Sequence, residues 1–263
     1  MRIKLLVVFL AATLLCRGEE SLDIADTLNF TAVEAEITPS KPLQTPYRFK
    51  ATDVIAPAVM IGVGVAGLEW KGLKHVNSKV EDALWNGRER NLWVDNVTQF
   101  LPAAAVYGLN LCGVKGLHDY VDATIILGSA YLIMATIVYP VKDFVSERRP
   151  NGKEFNSFPS GHCGWAFAGA EVLRREYWHV SPWIGVSGYL IAAGTGFMRL
   201  YQGAHWLTDV LAGAGIGILS AEAAYWLYPA ITKALFPKQY NSNIFLSPVA
   251  SVNSVGLSFS MSF

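Results

Sequence analysis

Three stretches of this chain, 96–114, 123–141 and 177–198, run for 19, 19 and 22 residues without an Asp, Glu, Lys or Arg. A helix of that length crosses the roughly 30 Å hydrocarbon core of a bilayer. Hydrocarbon offers no partner for backbone N–H and C=O groups, so only helices and closed barrels cross it. Three more apolar stretches, 54–68, 155–170 and 210–231, are shorter or interrupted, by Pro57, His162 and Glu222 respectively. Gly194, Gly196, Gly213, Gly215 and Gly217 enrich the last part of the body in small residues, which let membrane helices approach closely. No strand-like period of two occurs before residue 240. The body is therefore expected to be all-α, a multi-helix bundle embedded in a membrane.

Composition narrows the function. Charged residues make up 16% of the chain and hydrophobic residues 52%, against roughly 25% charged in soluble domains. The 21 basic and 21 acidic residues cancel without forming basic runs, which argues against nucleic acid as a partner. Disorder, collagen-like repeats and a disulfide scaffold are excluded, the last because the chain has three cysteines. Cys112 and Cys163 both fall in apolar stretches and are expected in the core. The polar segment 71–95, with Trp85 and Trp93 among charges, suits a helix lying at a membrane interface.

The ends differ from the body. Arg2 and Lys4 precede an uncharged run from Leu5 to Cys16, the pattern of a signal peptide over 1–18 with a cut near Gly18. A lipoprotein site at Cys16 is the alternative, disfavoured by the bulky Leu15. Residues 19–53, with Pro39, Pro42 and Pro46, form a polar arm, and 54–236 the helical domain. In the tail, 237–263, Val255, Leu257, Phe259, Met261 and Phe263 alternate with Gly and Ser, and 244–249 offers a partner strand. A short C-terminal β-hairpin packed on the protein's own surface is expected. One hairpin cannot close a barrel.

Polar residues at the ends of apolar helices are costly unless they serve a purpose, and three blocks stand out. Lys142 and Arg149, seven apart, fall two helical turns from one another before Pro150. Pro159-Ser160-Gly161-His162 opens an apolar stretch, where Ser160 can cap a helix and Gly161 lets backbone N–H groups approach an anion. Arg199 precedes His205 and Asp209, an i,i+4 pair in which the carboxylate can hold one ring nitrogen and leave the other free. Three cations, a helix N-terminus and two histidines suit a tetrahedral oxyanion that gains charge in the transition state. Singly, each block has a bland explanation: a snorkelling cation, a plain cap, a satisfied core histidine. Glu147, Arg148 and Lys153 are expected as loop charges, His179 at an interface, and His75 and His118 exposed.

Together the blocks resemble the signature of the type 2 phosphatidic acid phosphatase (PAP2) superfamily: Lys-x6-Arg-Pro, Pro-Ser-Gly-His and Ser-Arg-x5-His-x3-Asp. Ten of its eleven specified positions are present in order, over a motif core of 96–231, and Met198 stands where the family has Ser. The resemblance implies that His205 attacks phosphorus and forms a phosphohistidine while Asp209 orients it. His162 would protonate the leaving oxygen and then activate water. Lys142, Arg149, Arg199, Ser160 and Gly161 would hold the phosphate, with no metal and no cofactor. The hydrophobicity favours the membrane lipid phosphatases of the superfamily, and the leader and hairpin resemble bacterial envelope enzymes. The implied substrates are then lipid A phosphates, undecaprenyl pyrophosphate or phosphatidylglycerol phosphate. A soluble periplasmic acid phosphatase, a vanadate haloperoxidase and a non-catalytic membrane bundle are the alternatives. The expected location is the inner membrane with a periplasm-facing site. With a cleaved leader this requires that 54–68 does not cross, as its 15 residues and Pro57 suggest.

Overall fold

The computed structural model describes residues 51–88, 90 and 92–236, and the backbone of strands at 35–36, 244–251 and 254–261. The leader and most of the arm lie outside the described residues. Between 51 and 236 every described element is a helix: α1 (Ala51–Ala66), α2 (Lys71–Leu84), α3 (Val94–Thr98), α4 (Leu101–Leu111), α5 (Tyr120–Val145), α6 (Gly161–Tyr177), α7 (Pro182–Tyr201) and α8 (Leu207–Leu235). Of the long helices, α5 with 26 residues and α8 with 29 are apolar enough to cross a membrane. The α1–α2 pair, bent by 92°, counts as a third span if taken as one. Large apolar side chains stay exposed on these helices, among them Ile55, Leu132 and Trp226. That is what a surface facing lipid tails tolerates.

Two of the three charge-free stretches do not form single spans. Residues 96–114 divide between α3 and the 11-residue α4, which starts with Pro102 in its first turn. Proline lacks an N–H and fits a helix start better than a helix interior. Residues 177–198 divide in the same way. Helix α6 ends at Tyr177, Ser181 is extended, and Pro182 opens α7. An uncharged run sets how much apolar surface is available, and proline decides where the helix within it begins.

Helix α6 is the central element, packed against α7 and α8, with α1 and α5 against α8. Small residues permit these contacts. A Cβ on Gly213 would lie 2.2 Å from the Ser160 carbonyl oxygen, and one on Gly217 would lie 2.4 Å from that of Gly164. Helix α8 therefore meets the start of α6 backbone to backbone. The main core joins Val106, Ile126, Leu127, Leu173, Tyr177 and Tyr225 from α4, α5, α6 and α8. Cys163 is buried as expected, whereas Cys112, at the end of α4, is exposed.

The far end of α6 carries a closed polar network. Glu171 bonds Arg174 and the Tyr189 hydroxyl. Arg175 pairs with Glu222 at 2.5 Å, with Asp53 at 2.9 Å and with Glu171 at 3.2 Å. Glu176 accepts from the His118 backbone N–H at 2.9 Å and bonds its Nδ1 at 2.8 Å, while Tyr225 donates to it at 2.6 Å. His118 is thus largely covered, not exposed as its place in a polar loop suggests; its partner lies 58 residues away in sequence.

The strands are β1 (Ala35–Glu36), β2 (Ile244–Ser251) and β3 (Ser254–Met261), in sheet order β1-β2-β3. β1 runs antiparallel to β2, with Ala35 opposite Ala250 and Glu36 opposite Val249. The third strand, from the arm, has no signal in the sequence.

Candidate active site

The three sequence blocks meet at the N-terminal end of α6. Helix α5 stops at Val145, where Ser146 turns left-handed at φ 49°. Arg149 therefore sits in a loop and not two helical turns beyond Lys142. The Lys142 Nζ donates to the Asn156 carbonyl at 2.7 Å. Arg149 is fixed through its N–H to the Glu154 carbonyl at 3.0 Å and through its guanidinium to the Glu154 carboxylate at 3.1 Å. The same loop is tied to the far side of the site by Asn151 N–H to the Gly203 carbonyl at 3.0 Å and Trp206 Nε1 to the Arg148 carbonyl at 2.9 Å. Ser160 occupies the N-cap of α6, but its hydroxyl makes no capping bond and is buried without a partner. Gly161 lies against the Lys142 side chain, whose Cε would be 3.8 Å from a Cβ placed there.

His205 differs from its expected setting. It precedes α8, so it and Asp209 do not share a helical face. Its Nδ1 donates to the Ser157 carbonyl at 2.7 Å, and the Asp209 carboxylate stays 3.7 Å away. A carbonyl can only accept, so Nδ1 carries the proton and Nε2 the lone pair. Asp209 Oδ2 instead accepts from the Ser157 hydroxyl at 2.5 Å and from the Trp206 N–H at 2.9 Å. As the third residue of α8, Asp209 reaches back to the helix start, which competes with its reach for the ring. Asp209 thus secures the Ser157 segment that orients His205. Burial, then the charges of Arg199, Lys142 and Arg149, hold the His205 imidazole well below the usual histidine range. The ring is neutral at pH 7.

His162, half-buried at the first turn of α6, faces α3. Its Nε2 bonds Asn96 Oδ1 at 2.8 Å and lies 4.0 Å from Asp95 Oδ2. Asp95, fully buried, pairs with Arg199 Nη1 at 2.5 Å. Burial first, then Arg199, lower the His162 ring to about 4; Arg149 and Lys142 push the same way, against Asp95. All eight expected residues, Lys142, Arg149, Ser160, Gly161, His162, Arg199, His205 and Asp209, therefore gather at one end of the bundle. Asp95, Asn96 and Ser157 join them without forewarning from the sequence blocks. An Asp-Asn pair at the junction of the polar 71–95 segment and the charge-free run 96–114 is the available signal for the first two.

Several buried atoms here lack a hydrogen-bond partner: Ser160 Oγ, Arg149 Nε, Arg199 Nε, Asn156 Oδ1 and Asp209 Oδ1. Unpaired buried polar atoms cost free energy, and a ligand can relieve it. A cleft of about 470 Å³ opens beside them, lined by Glu147, Arg148, Arg149, Pro150, Asn151, Gly152 and Trp206. Donors and cations around a neutral imidazole with a free Nε2 suit a phosphoryl group open to in-line attack. Among the described residues, no cluster of His, Cys, Asp and Glu has the makings of a metal site.

Residues 123–233 match the PAP2 superfamily. The chain is 35% identical over 170 residues to a lipid A 1-phosphatase of Porphyromonas gingivalis, covering 64% of this chain and 37% of that protein. It is 28% identical over 172 residues to a probable lipid phosphate phosphatase 4 of Arabidopsis thaliana, covering 49% of this chain and 53% of the relative. The chain thus spans about half or less of the length of these relatives. Two solved structures resemble it: Aquifex aeolicus LpxE, at 24% identity and TM-score 0.43 over 57% of this chain and 94% of that one, and a transmembrane PAP2 type phosphatidylglycerolphosphate phosphatase of Bacillus subtilis, at 19% identity and TM-score 0.46 over 68% and 97%.

Proposed function

We propose, from the match of residues 123–233 to the PAP2 superfamily and from the geometry of the site, that this chain is a metal-independent phosphatase of envelope lipids, acting through a phosphohistidine. The observation that carries this reading is the His205 ring, held by Nδ1 on the Ser157 carbonyl. Its Nε2 lone pair faces chemistry in a setting that contains Arg199, Lys142 and Arg149. In the first step Nε2 attacks phosphorus as the P–O bond to the lipid breaks, and His162 gives a proton to the departing oxygen. Lys142, Arg149, Arg199, the Ser160 hydroxyl and the Gly161 N–H hold the phosphoryl oxygens. In the second step His162, now neutral, takes a proton from water. The water oxygen attacks the phosphohistidine, and inorganic phosphate leaves. Burial and the cations around it make the His162 ring hard to protonate. A bound phosphate offsets those cations, so the substrate itself favours the proton donor's charged form.

The lipid substrate is supported by the candidate spans α5 and α8 and by the similarity to a lipid A 1-phosphatase. An inner-membrane location with the site facing the periplasm accords with the leader-like N-terminus. Phosphate release from lipid A, undecaprenyl pyrophosphate, phosphatidylglycerol phosphate and para-nitrophenyl phosphate tests the reading. Release from at least one lipid, fastest from the lipid A 1-phosphate, is expected. Turnover of the soluble ester alone would favour a non-specific acid phosphatase, and no release from any would leave a non-catalytic bundle.

A further inference from the structure

Helix α3 lies outside the segment that matches the superfamily, residues 123–233, yet its Asp95 and Asn96 side chains reach the centre of the site. Asn96 Oδ1 accepts from His162 Nε2 at 2.8 Å, and Asp95 Oδ2 lies 4.0 Å from the same nitrogen while binding Arg199 Nη1 at 2.5 Å. An amide oxygen only accepts, so Nε2 carries the proton and Nδ1 is the free nitrogen of the neutral ring. Asp95 is fully buried. A buried carboxylate beside a histidine fixes its tautomer and stabilises its cationic form. Here the same carboxylate also directs one of the phosphate-holding arginines.

We propose that Asp95 and Asn96 are positioning residues for the proton donor: they hold His162 by Nε2–H, so that Nδ1 exchanges the proton with substrate, and Asp95 couples that ring to Arg199. The inference rests on the proton-donor role of His162 given above. In the first step the Nδ1 proton passes to the leaving oxygen as the P–O bond breaks, and the ring becomes neutral. In the second, Nδ1 takes a proton from the attacking water. Nε2–H stays on Asn96 throughout, with the Asp95 carboxylate 4.0 Å away. The groups facing the ring are Asp95 and Asn96 from α3, Arg199 from α7, Lys142 from α5 and Arg149 from the loop. All three cations oppose its protonation, and Asp95 opposes them. Asp95 is the one carboxylate among these groups.

Leaving-group dependence tests this. An alkyl alcohol departs only with a proton, whereas para-nitrophenolate departs without one, so a defect in proton donation strikes the first and spares the second. A merely structural defect lowers both together. With the full chain in detergent, Asp95→Asn is expected to lower kcat on dodecyl phosphate about tenfold to a hundredfold relative to para-nitrophenyl phosphate. Asn96→Ala, which trims an exposed side chain, is expected to lower the same ratio roughly threefold and covers the case in which Asp95→Asn does not fold. His162→Gln is the reference. If it lowers the ratio and neither α3 variant does, the positioning role is overturned and the proton donor stands. If His162→Gln leaves the ratio unchanged, the proton-donor reading falls and takes the inference with it.

Discussion

The two ends of α6, about 25 Å apart along the helix axis, both bury charged groups, but they use them in opposite ways. At the Tyr177 end, Glu171, Arg174, Arg175, Glu176 and Glu222 are bonded to one another or to Asp53, Tyr189, Tyr225 and His118. At the Gly161 end, Ser160, Arg149, Arg199 and Asp209 each keep a buried atom with no partner. A closed network fastens helices, because every polar atom has its bond before any ligand arrives. An open network leaves bonds to be made by what binds. The difference separates structural charge from functional charge on one and the same helix.

The largest effect should come from the open end. His205→Ala removes the proposed nucleophile and is expected to lower turnover on the order of 10⁴-fold or more, with thermal unfolding close to that of the native chain. Undiminished phosphate release would show that the open end is not the catalytic one. Next is the closed end. Glu222→Ala removes one of the three carboxylates around Arg175, leaving Asp53 and Glu171, and should cost about 1–3 kcal/mol of stability, read by thermal unfolding in detergent. The turnover of the folded fraction should change little. If activity fell and stability held, the division between the ends would be wrong.

Smaller effects sharpen the contrast. Ser160→Ala deletes a hydroxyl that has no partner, so stability should hold while kcat/KM falls about tenfold, the worth of one hydrogen bond to a charged phosphoryl oxygen. Smallest is the pH response, which should have opposite signs at the two ends. At the closed end burial lowers the His118 ring, but the Glu176 bond and charge, with Asp122 and Asp119, outweigh it and leave it raised. Its contribution to stability is complete below about pH 6.5 and is lost as pH rises through the folded value. At the open end burial and the surrounding cations depress His162 to about 4 and His205 well below the usual range. There the unfolded chain binds the protons first, so stability falls as pH drops below about 6.5. His118→Gln should flatten the alkaline side of a melting profile and His205→Gln the acid side, by a few °C each. Profiles in which both variants flatten the same side would contradict the assignment.

The sequence made the motif residues legible because their chemistry resides in side chains at fixed spacing. Lys142, Arg149, His162, Arg199 and His205 all arrive at one end of the bundle as their pattern implies. What escaped it depends on backbone geometry or on distant partners. Ser157 acts on His205 through its carbonyl, which any residue carries. Asp95 acquires meaning only from Arg199, 104 residues later, and His118 only from Glu176. The i,i+4 relation of His205 and Asp209 presupposed a helix that begins only at Leu207. The charge-free run 96–114 gave no hint that a short helix would end within it and bring Asp95 inward.

The bond from His205 to the Ser157 carbonyl also bears on what mutation can reach. A partner supplied by a side chain disappears with one codon change. A main-chain oxygen is present whatever residue stands at that position. The tautomer of His205 is therefore sheltered from direct substitution and is exposed to drift only through the path of residues 157–160. Variation that alters catalysis without touching a motif residue should accordingly collect where that path is held: at Ser157, whose hydroxyl donates to Asp209, and at Gly213, where any side chain would displace the Ser160 carbonyl.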